Sequence, residues 1–324
     1  MTQAQPQAAT FVAAITAAHF APVMGFAGLG IAWRIAAGVL AVPPQIGEAI
    51  VAFAFAVFAV VATVFAARAV LLAGALLEDF RNSRRLVFYP LLPTSLLLLS
   101  IGSRPYSTDV ATALWLVAAP LNLYFATVLT GRWLFEAQTK SDISPAWLFP
   151  IVGNGVVPIA GVPLGFVEMG WLFFTLSFGL WIIVFAALFQ RLVFEQSMTA
   201  RMMPSIMILM SPPATFFIAY FELTDGRIDP LSYGLIYLSL FLMSVFVLHI
   251  KKLVLVPVTI TLWSLTFPMA ALTIASLLFC RALGWPGLYW LAATMLGATS
   301  LAVSFVSLRS LTALRRSATA ISER

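Results

Sequence analysis

Residues 203–221, MPSIMILMSPPATFFIAYF, run for 19 positions without a charged side chain, yet they hold three prolines, Pro204, Pro212 and Pro213. An apolar run of this length matches the roughly 20 residues a helix needs to cross the hydrocarbon core of a bilayer. An internal proline costs a helix about 3 kcal/mol, because it removes a backbone hydrogen bond and crowds the preceding turn. In lipid such a break is tolerated only where neighbouring helices, water or a cavity satisfy the freed carbonyls. A span built this way belongs against protein or water rather than against acyl chains.

The same kind of run recurs along the chain. Apolar stretches fall at 11–33, 48–67, 86–102, 110–131, 146–166, 169–190, 203–221, 231–250, 253–279 and 285–308. The whole sequence of 324 residues is 62% hydrophobic and 9% charged, with mean hydropathy +1.01. Soluble domains carry about 25% charged residues, so this chain lacks the means to cover a globule with polar surface. The expected class is an all-α integral membrane protein of about ten transmembrane helices. It forms a single transmembrane domain over residues 1–324, with short end segments at 1–10 and 310–324. The start, MTQAQPQAAT, has no Lys or Arg ahead of the first apolar run. It lacks the basic region of a signal peptide, and the run from Phe11 reads as a retained helix.

Charge placement sets the expected orientation. With the N-terminus inside, 14 of the 18 Lys and Arg residues fall on the inner side, and Arg34, Arg104, Arg227 and Arg281 are left outside. Basic residues collect on the cytoplasmic side of membrane proteins, so both termini are expected in the cytoplasm, at the cell membrane. Arg68, at the end of the second run, is expected to snorkel into that interface. The net charge of +6 thus has a topological explanation, and no nucleic-acid partner is expected.

The prolines alternate. Pro22 lies in the first run, Pro90 and Pro93 in the third, Pro150, Pro158 and Pro163 in the fifth, and Pro257 and Pro268 in the ninth. Among the even runs, only the fourth holds an internal proline, Pro120. This pattern reads as five helical hairpins around a central pore, with kinked odd-numbered inner helices and straight even-numbered outer ones. The blander account, that membrane helices in general tolerate proline, remains open at this point.

Several classes are disfavoured by what is missing. One cysteine, Cys280, and two histidines, His19 and His249, give no expected metal site or cofactor. No His-Glu-x-x-His, nucleophile elbow or phosphate-cradling loop is present, so no enzyme is expected. His19 reads as an interfacial or anion-contacting residue, and His249 as part of the inner rim beside Lys251 and Lys252. Asn122 and Asn154 read as hydrogen-bonding groups between helices. Met202, Met203, Met207 and Met210 read as packing, and Glu48, Glu168 and Glu222 as solvated residues at outer helix ends.

Five patches, in order, carry a family resemblance. They are Gly25-Phe26-Ala27-Gly28-Leu29-Gly30-Ile31-Ala32-Trp33, then Asp79, Arg85 and Pro93, then Gly170-Trp171-Leu172-Phe173-Phe174 with Trp181-Ile182-Ile183 and Gln190. Ser211-Pro212-Pro213-Ala214 and Leu262-Trp263-Ser264-Leu265-Thr266-Phe267-Pro268-Met269 complete the set. Over about 19–310 the chain resembles the tellurite-resistance and dicarboxylate transporter family, which includes the slow-type anion channels of plant guard cells. The resemblance implies a homotrimer whose protomers each hold a pore of five inner helices, closed by a phenylalanine on the ninth. Phe267 is the residue it assigns as gate. The chain departs from the family at Ser83-Arg84 and at Leu265, which leaves the fold but bears on specificity.

The expected activity is passage of small inorganic anions through a largely uncharged pore, an anion channel. The alternative is a transporter or exporter of dicarboxylates or of oxyanions such as tellurite. Conduction needs contacts weak enough to release the ion, and the odd runs carry no charge at mid-membrane depth. Expected kink and lining residues are Pro22, Gly25, Gly28, Pro90, Pro93, Pro150, Gly153, Pro158, Pro212, Pro213, Thr266 and Pro268. Arg84, Arg85, Lys140, Arg201, Lys251 and Lys252 form an expected basic rim that concentrates anions on the cytoplasmic side.

Overall fold

The computed structural model describes residues 12–140, 142–195 and 198–322. Ten helices in it are long and apolar enough to cross a membrane. They are α1 (Ala17–Leu40), α2 (Pro44–Leu71), α3 (Ser83–Ser103), α4 (Thr108–Phe135) and α5 (Pro145–Leu164), followed by α6 (Val167–Phe194), α7 (Met203–Leu223), α8 (Pro230–Leu248), α9 (Ile260–Leu283) and α10 (Pro286–Ala313). No strand occurs among the described residues. The protein is an all-α, multi-pass membrane protein.

Burial separates the helices into two sets. In the most apolar stretch of each odd helix, 56% to 94% of residues are buried, against 11% to 39% in the even helices. The odd helices pack in a closed ring, α1 on α3, α3 on α5, α5 on α7, α7 on α9 and α9 back on α1. Each even helix packs outside against the odd helix that precedes it. Two close approaches tighten α1 into this arrangement. A Cβ at Gly28 would lie 2.8 Å from the Ala270 Cβ of α9, and one at Gly47 of α2 would lie 2.9 Å from the Gly30 carbonyl.

Every odd helix is built in two parts. A 3₁₀ or turn segment leads, and a regular α segment follows, starting at Ala21, Leu91, Phe149, Ser211 and Thr266. The first N–H of each α segment bonds the carbonyl three residues back, on Ala18, Phe88, Ala146, Ile208 and Trp263 respectively. The prolines stand in the first turn just beyond, as Pro22, Pro93, Pro150, Pro212 with Pro213, and Pro268. Proline's fixed φ suits the first turn of an α segment, so it is tolerated there better than in mid-helix. Pro90 caps the α segment of α3, and Pro158 stands within that of α5.

Three expectations need correction. Helix α1 begins at Ala17 rather than near 11, and Phe11 lies outside the described residues, as do 1–10 and the last two residues of the tail. Helix α9 begins at Ile260 rather than 253. The residues ahead form a short helix, Ile250–Val254, and an irregular link, which leaves Pro257 outside the span. Proline disfavours the helical conformation for the residue before it, which fits the interruption at Val256 despite an unbroken apolar sequence. Arg68 does not snorkel. It is 3% exposed and donates to Asp79 at 2.7 Å, while Asp79 also accepts from Arg85 at 3.0 Å and Tyr89 at 3.2 Å.

Candidate functional site: two cavities meeting at Phe267

Two cavities lie inside the ring of odd helices. The first, about 40 Å³, is lined from all five, including Ala21, Leu91, Phe149, Ser211 and Pro268. Four of these are the first residues of their α segments. These junctions surround an otherwise apolar space. The second cavity, about 470 Å³, lies against the C-terminal parts of the same helices. Its lining includes Arg34, Arg104, Arg281, Glu222 and Thr215 among aliphatic side chains. Among the described residues, Phe267 is the one common to both linings.

Phe267 is 8% exposed and occupies the second position of the α segment of α9, directly before Pro268. The break fixes where the ring sits. Helix α9 is 3₁₀ up to Leu265 and α-helical from Thr266, and Thr266 donates to the Trp263 carbonyl at 2.7 Å, closing the junction. The first cavity has room for about three waters, given the roughly 10–15 Å³ each requires on this measure.

Of the expected gate, kink and lining residues, Phe267 and Pro268 line the cavities. Pro22, Pro90, Pro93, Pro150, Pro158, Pro212, Pro213 and Thr266 do not; they shape the junctions behind the lining. Gly25 and Gly28 face α9, beside Thr266 and Ala270, and Gly153 faces Asn122 and Thr94. These glycines admit neighbouring helices and are not lumenal. Asn154 Nδ2 donates to the Pro150 and Asn122 carbonyls at 2.7 and 3.3 Å, and Thr94 Oγ1 donates to Asn122 Oδ1 at 3.3 Å. His19 lies in the lead segment of α1 and accepts from the Thr16 N–H at 3.1 Å through Nδ1. His249 is exposed at the end of α8. Met207 and Met210 are buried in the core, Met202 borders the first cavity, and no metal-binding cluster occurs among the described residues.

Half of the expected basic rim is paired with carboxylates. Arg84 pairs with Asp142 at 2.7 Å, Arg85 with Asp79 at 3.0 Å, and Lys140 with Glu195 at 2.8 Å. Arg201 is exposed, and its carbonyl accepts from Thr261 at 2.6 Å. Lys251 and Lys252 are exposed on the short helix before α9. None of the six lines either cavity. Hydrogen bonds from the hydroxyl and backbone N–H of Thr139, then from Arg84, pull the Asp142 carboxyl down to about 2. Burial pushes the Asp79 carboxyl upward, but the bonds from Arg68, Arg85 and Tyr89 outweigh it and hold the group below its ordinary value.

The charged residues nearest the lumen escaped the sequence reading. Arg34 donates to the Gly102 carbonyl at 2.6 Å and to Glu48 at 2.5 Å. Arg281 lies 5.8 Å from the Phe221 ring centre. Glu222 faces the cavity beside them, so it is not simply a solvated helix end. Their one shared signal is position, at the C-terminal ends of broken, odd-numbered helices. Arginine outnumbers carboxylate in this lining.

The sequence also resembles known proteins. Residues 14–311 match the family described as voltage-dependent anion channel (SLAC1). The chain belongs to this family. Among its relatives is the S-type anion channel SLAH3 of Arabidopsis thaliana, 22% identical over 272 residues that cover 82% of this chain and 43% of the relative. The S-type anion channel SLAH2 is 25% identical over 65% of this chain and 41% of its own length, and the guard cell S-type anion channel SLAC1 is 24% identical over 60% and 36%. The chain spans less than half the length of the channels it matches.

Proposed function

We propose that this protein is an anion channel, conducting small inorganic anions along the axis of the odd helices, with the Phe267 ring as its gate. The observation that carries the reading is that one aromatic side chain borders both cavities. A bulky ring at that point excludes water and raises the barrier to a hydrated ion. The arginine excess at the second cavity favours anions over cations, with no charged side chain lining the first to trap them. The relatives named above are channels, which favours conduction over the dicarboxylate or oxyanion carrier.

The basic residues argue for both termini in the cytoplasm at the cell membrane, with the first cavity facing inward. The family resemblance argues for a homotrimer in which each protomer keeps its own path. The gate is tested by reconstituting the purified protein in planar bilayers under a chloride gradient. Phe267→Ala raises the current and holds the reversal potential near that of chloride. A correctly folded Phe267→Ala protein with wild-type current would remove the ring from this role.

A further inference from the structure

Buried hydroxyls in this protein follow one habit: they bond a nearby carbonyl or another side chain. Thr94 bonds the Pro90 carbonyl, Ser95 that of Leu91, Ser177 that of Phe173, and Thr273 that of Met269, each four residues back. Among the described residues, three buried hydroxyls have no partner: Ser211, Thr215 and Ser276. Ser211 and Thr215 are each 1% exposed and lie four residues apart in the α segment of α7. Ser211 lines the first cavity and Thr215 the second, so they stand on opposite sides of the Phe267 ring. Ser276 lines neither.

A buried hydroxyl left unbonded loses free energy unless something arrives to satisfy it. The surrounding backbone does not. The Ser211 N–H is taken by the Ile208 carbonyl, and Pro212 and Pro213 have no N–H to offer. At this junction the side-chain hydroxyl is the donor left unbonded, and an O–H can give its hydrogen to an anion.

We propose that Ser211 and Thr215 are a pair of anion-binding hydroxyls, one on each side of the gate, which a small monovalent anion contacts in succession as it crosses. The pair rests on the channel reading above. Each O–H replaces part of the hydration shell that the anion sheds at the ring, and two weak contacts one helical turn apart let it be passed on rather than held.

The test uses Phe267→Ala protein in planar bilayers, with Ser211→Ala and Thr215→Val added singly and together. Removing a hydrogen bond to a charged group should raise the half-saturating chloride concentration roughly tenfold. Selectivity should shift from chloride toward thiocyanate, which is less costly to dehydrate. Ser276→Ala should change neither quantity. If Phe267→Ala conducts and the Ser211 and Thr215 variants leave both quantities unchanged, the pair is overturned while the channel stands. If Phe267→Ala folds but does not conduct, the channel reading fails, and the pair is then judged without current. Crystals of the wild-type protein soaked in bromide should show anomalous density within hydrogen-bond reach of Ser211 Oγ or Thr215 Oγ1. Absence of bromide at both overturns the pair.

Discussion

Replacing Asp79 with leucine should be among the most damaging single changes outside the lumen. Asp79 sits in the link between α2 and α3, 1% exposed, and accepts hydrogen bonds from Arg68, Arg85 and Tyr89. The three bonds are not equal. The Arg85 side chain is half exposed, so its loss costs about 1 kcal/mol or less. The Tyr89 hydroxyl loses a buried acceptor, at about 1 kcal/mol. Arg68 dominates, because at 3% exposure it would keep its charge with no carboxylate beside it. Breaking one side of a buried pair costs about 3–5 kcal/mol. Thermal unfolding in detergent should fall by on the order of 10 °C in Asp79→Leu. Adding Arg68→Met removes the stranded charge and should recover most of that loss. A double variant no more stable than Asp79→Leu alone would refute the reasoning, since the damage would then lie in lost packing. The Asp79 carboxyl is held below its ordinary value, so its contribution is complete above the usual carboxylate range and disappears only as pH falls through the lowered value.

Gly28→Val should overpack the α1–α9 contact and yield little monodisperse protein by fluorescence size-exclusion chromatography. Gly28→Ala should be rescued in part by Ala270→Gly, because the added Cβ would lie 2.8 Å from that of Ala270. In a Phe267→Ala background, Glu222→Gln should raise anion current entering through the second cavity about twofold at low salt, by removing one negative charge near the path. That gain should shrink as ionic strength rises in the bilayer recording, and a salt-independent gain would point away from electrostatics. Asp142, held at about 2, should titrate in NMR well below the ordinary carboxylate range, and Thr139→Val should move it upward. The stabilisation Asp142 supplies is present above its unfolded pKa and is lost only as pH falls toward about 2.

The ten spans were legible because the signal for a membrane helix is local: some twenty apolar residues between charges. What went unread depends on contacts between distant residues. Arg84 and Asp142 are 58 residues apart, and Lys140 and Glu195 are 55 apart, so a tally of basic residues could not reveal that these rim cations already have partners. Arg68 looked like an interfacial residue because its acceptor, Asp79, falls beyond the end of its helix. The start of α9 was misplaced because Leu253–Val256 is apolar, although the chain there is not a continuous helix. The glycines were misread for a related reason. Composition reports that a residue is small, not whether the space beside it holds lumen or another helix.

The position of the prolines explains how a pore wall can be broken without becoming unstable. In mid-helix each would forfeit a backbone bond at about 3 kcal/mol. Here five of the breaks fall where a 3₁₀ or turn segment gives way to an α segment, and the proline occupies the first turn of that segment, where its fixed φ fits. The same placement removes backbone donors from the lumen surface, since the preceding N–H is already bonded three residues back. A wall made this way offers few backbone groups that could hold an ion tightly. Side-chain hydroxyls then become the adjustable element, and in this chain α7 presents one on each side of the phenylalanine ring.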